Sequence, residues 1–286
     1  MIIFPNCKIN LGLTITGKRA DGYHDIETVF YPVPVKDALE IIPNKIPDLS
    51  KNDSGKFIEI DLTTTGITVD GRVEDNLCVK AYLLLKKDFP ALPLIKVHLH
   101  KAIPLGAGLG GGSADGAFML KALNEQFELG LSVEQLMGYA LQLGSDCPFF
   151  IINRPCIGSG RGEKLLPVLV DLSQYQLVLV NPGIHVNTGW AFSQIDQSST
   201  KSTKIPLQQI IAGPIESWRD MLVNAFEIPV FKKYPAVKAI KESLYSMGAV
   251  YASMSGSGSS VYGLFDKNQS MGNNFPDNYL FKNIFM

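Results

Sequence analysis

Hydrophobic and polar residues alternate along Ile95-Lys96-Val97-His98-Leu99-His100, which predicts a strand with one buried face. Beyond a glycine-rich stretch, Ala114, Ala117, Phe118, Leu120, Lys121 and Leu123 fall at helical spacing. Similar patterns predict helices over 77–87, 216–226 and 236–247, and strands over 177–180, 249–254 and 261–265. Ser132, with Gln135 three residues on, forms a capping box that opens a helix through Leu136, Met137, Ala140 and Leu143; Gly144 ends it. Residues 44–55 are polar and turn-rich and read as an exposed hairpin tip. Residues 194–204, rich in Ser, Thr and Gln, read as a mobile connection. There is no internal repeat, and pattern alone predicts mixed strands and helices in two units.

Composition narrows the class. A chain of 286 residues with 46% hydrophobic content suits one large or two ordinary domains with substantial cores. The formal charge of −1 argues against a general nucleic-acid binder while leaving room for a local positive pocket. No apolar run approaches a membrane span, and the apolar start Met1-Ile2-Ile3-Phe4 stops at Pro5, too short for a signal peptide. Cysteines at 7, 78, 147 and 156 have no metal-binding spacing, and the four histidines are dispersed, so no protein metal site is expected. Scattered cysteines in a chain of this length read as reduced thiols of a cytoplasmic protein.

The chemistry concentrates in Pro104-Leu105-Gly106-Ala107-Gly108-Leu109-Gly110-Gly111-Gly112-Ser113-Ala114. Strand, glycine loop and helix start is an arrangement that aims backbone N–H groups at an anion. Glycine lets the backbone come close, and the helix start adds about half a positive charge. Five glycines within residues 106–112 would weaken a loop that served only as a turn. The loop ends Gly112-Ser113 without the lysine of a P-loop. Its G-x-G-x-x-G spacing follows an alternating strand rather than a fully buried one, which disfavours a dinucleotide fold.

Other segments carry a more specific signal. Cys7-Lys8-Ile9-Asn10-Leu11, Gly17-Lys18-Arg19-Ala20-Asp21-Gly22-Tyr23-His24, the glycine loop, Gly144-Ser145-Asp146-Cys147-Pro148 and Met254-Ser255-Gly256-Ser257-Gly258-Ser259 together resemble the GHMP kinases, the superfamily of galactokinase, homoserine kinase and mevalonate kinase. The resemblance runs from about Pro5 to about Phe265. It implies an α+β, two-domain GHMP kinase fold. A ribosomal-protein-S5 domain-2-like N-terminal domain would occupy 1–155 and a ferredoxin-like C-terminal domain 156–286. The glycine loop would bind ATP, accompanied by Mg²⁺.

The resemblance also assigns roles. Asp146 becomes the base that accepts a hydroxyl proton, and Lys8 the cation beside it that stabilises the developing alkoxide. Without the resemblance, Asp146 reads as a turn-capping residue and Lys8 as a solvent-facing strand lysine. Asn10, on the same strand face as Lys8, becomes a substrate contact. Tyr23, His24 and Phe192 become a clamp for a cytosine ring, with a structural hairpin and a core phenylalanine as the plain alternatives. Ser113 could reach a phosphate or simply cap its helix. The N-terminal motifs point, within the superfamily, to 4-diphosphocytidyl-2-C-methyl-D-erythritol as the acceptor, in non-mevalonate isoprenoid biosynthesis. A mevalonate- or homoserine-type acceptor, and an inactive nucleotide-binding regulator, stay open. The expected assembly is a monomer or weak homodimer, with neither nucleic acid nor membrane as partner.

Overall fold

The computed structural model describes residues 1–44, 60–69, 71–195 and 205–286. Most of the expected hairpin tip over 44–55 and most of the connection over 194–204 lie outside the described residues. The chain forms two compact units that interleave along the sequence. One comprises 1–7, 35–103 and 111–153; the other comprises 8–34, 104–110 and 154–286. The last crossing, at 153/154, falls beside the boundary expected at 155/156, whereas the earlier crossings carry no compositional signal.

In the first unit, strands Ile2–Ile3, Ala38–Pro43, Ile95–Lys101 and Ile60–Gly66 lie side by side in that order, only the last pair being parallel. Alternation along Ile95–Lys101 buries Ile95, Val97, Leu99 and Lys101 and exposes Lys96, His98 and His100. Helices Leu77–Asp88, Gly111–Gln126, Val133–Leu143 and Cys147–Ile152 pack on one another in this unit. Ser132 and Gln135 form the expected capping box, and Gly144 is the C-cap.

The second unit holds most of the sheet Asn6–Lys18, His24–Lys36, Cys156–Gly160, Lys164–Pro167. A second sheet, antiparallel throughout, orders Tyr251–Met254, Val261–Asp266, Tyr175–Asn181 and Leu280–Phe285. Helix Pro235–Ser246 covers it through Val237, Ile240 and Leu244, all fully or nearly buried. The helix expected over 216–226 is only partly formed: a 3₁₀ turn Ile215–Ser217 and a short helix Trp218–Met221 give way at Leu222. There the backbone leaves helical geometry to pair with the first sheet, Leu13 N–H donating to Val223 O at 2.9 Å and Ala225 N–H to Leu13 O at 2.8 Å. Two strand-type bonds outweigh a helical preference worth a few tenths of a kcal/mol per residue, about 0.7 at most.

Candidate active site

Lys8 and Asn10 point to one side of the strand Asn6–Lys18, and both are buried. A buried ammonium must be met by oxygens. Lys8 Nζ donates to Asn10 Oδ1 at 2.7 Å and to the Gly108 carbonyl at 2.9 Å, and lies 5.5 Å from the centre of the Phe30 ring. Asn10 Nδ2 in turn donates to Thr28 Oγ1 at 3.1 Å, and Tyr262 Oη donates to the Asn10 carbonyl at 2.7 Å. The lysine expected at a solvent-facing position on general grounds is therefore held inside, oriented by an amide that is itself anchored.

The first part of the glycine loop, 104–110, belongs to the same unit as Lys8. It is braced by the Ser-Gly turn between strands Tyr251–Met254 and Val261–Asp266. Ser255 Oγ donates to the Gly108 carbonyl at 2.8 Å, and Ser260 N–H donates to the Ala107 carbonyl at 3.1 Å. Asn224 holds that turn from behind, its Nδ2 donating to Met254 O at 2.7 Å and to Gly256 O at 2.8 Å. The turn is thus an ordered, buried brace rather than a linker: Ser255, Ser259 and Ser260 are fully buried. His185 stands over Gly106, where a Cβ would come within 2.4 Å of its Nδ1.

In the other unit, the helix Gly111–Gln126 begins at the end of the loop. Its first turn carries no acidic residue to oppose an anion. A Cβ at Gly112 would meet nothing within 4 Å, so the backbone is open to approach at this helix start. This is the feature that suits a phosphate. Burial pushes the Cys147 thiol up to about 12. Asp146 immediately precedes Cys147, half-buried at the N-cap position of helix Cys147–Ile152. Its carboxylate makes no capping bond to that helix.

The aromatic residues expected to form a clamp are partly assembled. His24 stacks on Phe192, ring centres 5.0 Å apart and planes 14° from parallel, and Phe192 meets Phe226 edge-on at 4.8 Å. Tyr23 is 57% exposed, and its ring is covered by the Arg161 guanidinium at 4.9 Å. Pattern reading overlooked Thr28, His185, Asn224 and a buried cluster of Lys101, Asp37 and Asp115. Lys101 alone had a legible signal: it continues the buried parity of Ile95, Val97 and Leu99.

Comparison with known proteins settles the family. Residues 76–154 match the GHMP kinases N terminal domain and residues 207–273 the GHMP kinases C terminal domain. A 4-diphosphocytidyl-2-C-methyl-D-erythritol kinase of Bacteroides fragilis is 51% identical over 271 residues, covering 95% of this chain and 94% of the relative. The chain is a GHMP kinase. One of the same description from Parabacteroides distasonis is 46% identical over 286 residues, 100% of this chain and 98% of the relative. A crystal structure of 4-(cytidine 5'-diphospho)-2C-methyl-D-erythritol kinase superposes with a TM-score of 0.76 at 28% identity, covering 92% of this chain and 90% of that one. The α+β, two-domain fold implied by the motifs is the fold this GHMP kinase has, and a GHMP kinase uses ATP. Among the described residues no helix is long and apolar enough to cross a membrane, and no three His, Cys, Asp or Glu side chains gather as a metal site.

Proposed function

We propose that this GHMP kinase transfers the γ-phosphoryl group of ATP to the 2-hydroxyl of 4-diphosphocytidyl-2-C-methyl-D-erythritol, giving the 2-phosphate and ADP in non-mevalonate isoprenoid biosynthesis. The observation that carries this reading is identity of 51% across nearly the whole length of a kinase described by that substrate. The stacked pair His24 and Phe192 adds chemical support, since a flat face framed by aromatic rings suits a pyrimidine.

The residues divide the work. The loop amides and the open helix start at Gly112 take the phosphate charge. Asp146 accepts the proton as the acceptor oxygen bonds to phosphorus and the bond to the ADP oxygen breaks. Lys8 stabilises charge developing on the acceptor oxygen, and its bond to the Gly108 carbonyl ties its position to the loop. Asn10 uses one Nδ2 N–H on Thr28, and its other N–H is the group it offers a substrate hydroxyl. Mg²⁺, if brought in with ATP and held mostly by its phosphate oxygens, would supply charge neutralisation there. The protein acts in the cytoplasm as a monomer or weak homodimer, which sedimentation of the purified chain tests.

The deciding assay measures ADP release with ATP and Mg²⁺ against the cytidyl substrate, mevalonate and homoserine. Turnover confined to the cytidyl substrate is expected. Comparable turnover of mevalonate or homoserine overturns the acceptor assignment, and no turnover of any acceptor supports the inactive regulator instead.

A further inference from the structure

The Lys101, Asp37 and Asp115 cluster takes no part in the reading above, yet it sits where the glycine loop is anchored. Lys101 ends the strand Ile95–Lys101 and is 1% exposed. Its Nζ donates to Asp115 Oδ2 at 2.7 Å and also to Asp37 Oδ2. The other oxygen of Asp37 accepts the backbone N–H groups of Ala102 and Ile103, at 2.6 and 2.9 Å. Asp115 lies on the helix Gly111–Gln126, in the turn after its glycine start. A Cβ at Gly111 would lie 2.8 Å from Ile103 Cγ2 and 3.4 Å from Lys101 Nζ. Ile103 and Gly111 are the residues on either side of the 104–110 segment, and one cluster grips both.

Stability alone is a poor reason for this arrangement. Each buried ion loses several kcal/mol of hydration, and well-packed apolar residues often serve stability as well or better. Two carboxylates face one ammonium, and Asp115 Oδ1 is buried with no hydrogen-bond partner among the described residues. What directional, charge-assisted bonds supply that an apolar plug does not is a fixed geometry. We propose that Lys101, Asp37 and Asp115 are positioning residues for phosphoryl transfer, setting the spacing between Ile103 and Gly111 and thereby the aim of the first-turn amides of helix Gly111–Gln126. The inference rests on the ATP-dependent reading above. Displacement of about 1 Å at a reacting group can cost roughly a hundredfold in rate, so even a small relaxation of this tether is visible.

Lys101→Met strands two buried carboxylates and is expected to unfold, so the test uses Asp115, where the Lys101–Asp37 pair survives. Asp115→Ala removes the tether; Asp115→Asn keeps its volume and an oxygen for Lys101. Calorimetric ATP affinity, KM for each substrate, kcat and thermal melting are measured on the wild type and both variants. ATP affinity and kcat are expected to fall roughly tenfold in Asp115→Ala and about threefold in Asp115→Asn, with KM for the acceptor unchanged. Unchanged ATP affinity and kcat in either folded variant overturns the proposal. So does an equal loss for both substrates, or an equal loss in both variants, since a merely structural residue would give these. If Asp115→Ala does not fold, Asp115→Asn decides alone by the same ATP readouts. A wild type that turns over no acceptor fails the functional reading, and calorimetric ATP affinity then decides this inference on its own.

Discussion

Ser255 closes directly on Gly108: its hydroxyl donates to the glycine carbonyl at 2.8 Å, and its own carbonyl oxygen lies 1.9 Å from where a Cβ on Gly108 would be. Gly108 also adopts φ +77°, a conformation that side chains disfavour. Glycine at this position answers first to the protein's own backbone. Gly112, with open space in place of a neighbour, answers to whatever approaches from outside.

The two glycines are therefore expected to respond differently to the same methyl group. Gly108→Ala should destabilise the protein by about 1–3 kcal/mol, the usual cost of overpacking, and lower ATP binding as a secondary effect. Gly112→Ala should leave the melting temperature unchanged or slightly raised, alanine being the better helix former, while weakening ATP binding. Melting curves and ATP calorimetry on both variants check this. Wild-type ATP affinity in Gly112→Ala would show that the helix start is not where phosphate sits.

Asp146→Asn removes a proton acceptor with little change in volume. Single-turnover phosphoryl transfer should slow by about 10²–10⁴-fold, while ATP affinity stays near wild type. A loss under tenfold would remove Asp146 from the role of base. Lys8 is a less clean target, because its ammonium satisfies buried oxygens of Asn10 and Gly108 that truncation would leave unpaired.

Tyr23 and Phe192 separate recognition from packing. Tyr23→Ala, at an exposed position, should raise the KM for the cytidyl substrate roughly 5- to 150-fold, the equivalent of about 1–3 kcal/mol of base stacking, without moving the KM for ATP or the melting temperature. Phe192→Ala should raise the same KM and also lower the melting temperature, because that ring packs against His24 and Phe226. An effect of Tyr23→Ala confined to the KM for ATP would place the cytidyl group elsewhere.

Asp115 should leave a mark on stability against pH. Burial raises its carboxyl from the ordinary 3.8 to about 7, with Lys101 opposing and Asp37 reinforcing the rise. Between those values the folded protein retains a proton that the unfolded chain has released. The group's stabilising contribution is thus complete below about 4 and is lost as pH rises towards 7. Urea unfolding at pH 5 and pH 8 should show the stability of the wild type relative to Asp115→Asn shifting against the wild type at the higher pH. A difference that does not change with pH would mean that Asp115 is ionised throughout.

What could be read from the amino-acid order was what depends on neighbours along the chain. The alternation of Ile95, Val97 and Leu99, the capping box of Ser132 and Gln135, and the glycine loop before Ser113 are local signals, and each has its counterpart in the structure. The Lys8 bond to Gly108 spans 100 positions, and that of Asn10 N–H to Ser255 Oγ spans 245, so no window of sequence contains them. The helix expected over 216–226 failed for the same reason, because Leu13, some 210 residues earlier, supplies the competing hydrogen bonds. Lys101 is the intermediate case: its parity was visible, but its partners Asp37 and Asp115 lie on other elements.

The interleaving of the chain limits how this enzyme can be cut. Strand Cys156–Gly160 pairs through Ile157 with Val29 and through Cys156 with Phe30, on the strand His24–Lys36. A recombinant C-terminal half starting at 156 would expose that sheet edge to its own copies, an invitation to aggregate. An N-terminal half ending at 155 would leave strand His24–Lys36 without the partner Cys156–Gly160 that covers its edge. Neither half is a portable module, so shuffling pieces between related kinases should succeed only when residues 8–34 and 104–110 travel with the C-terminal segment that completes them.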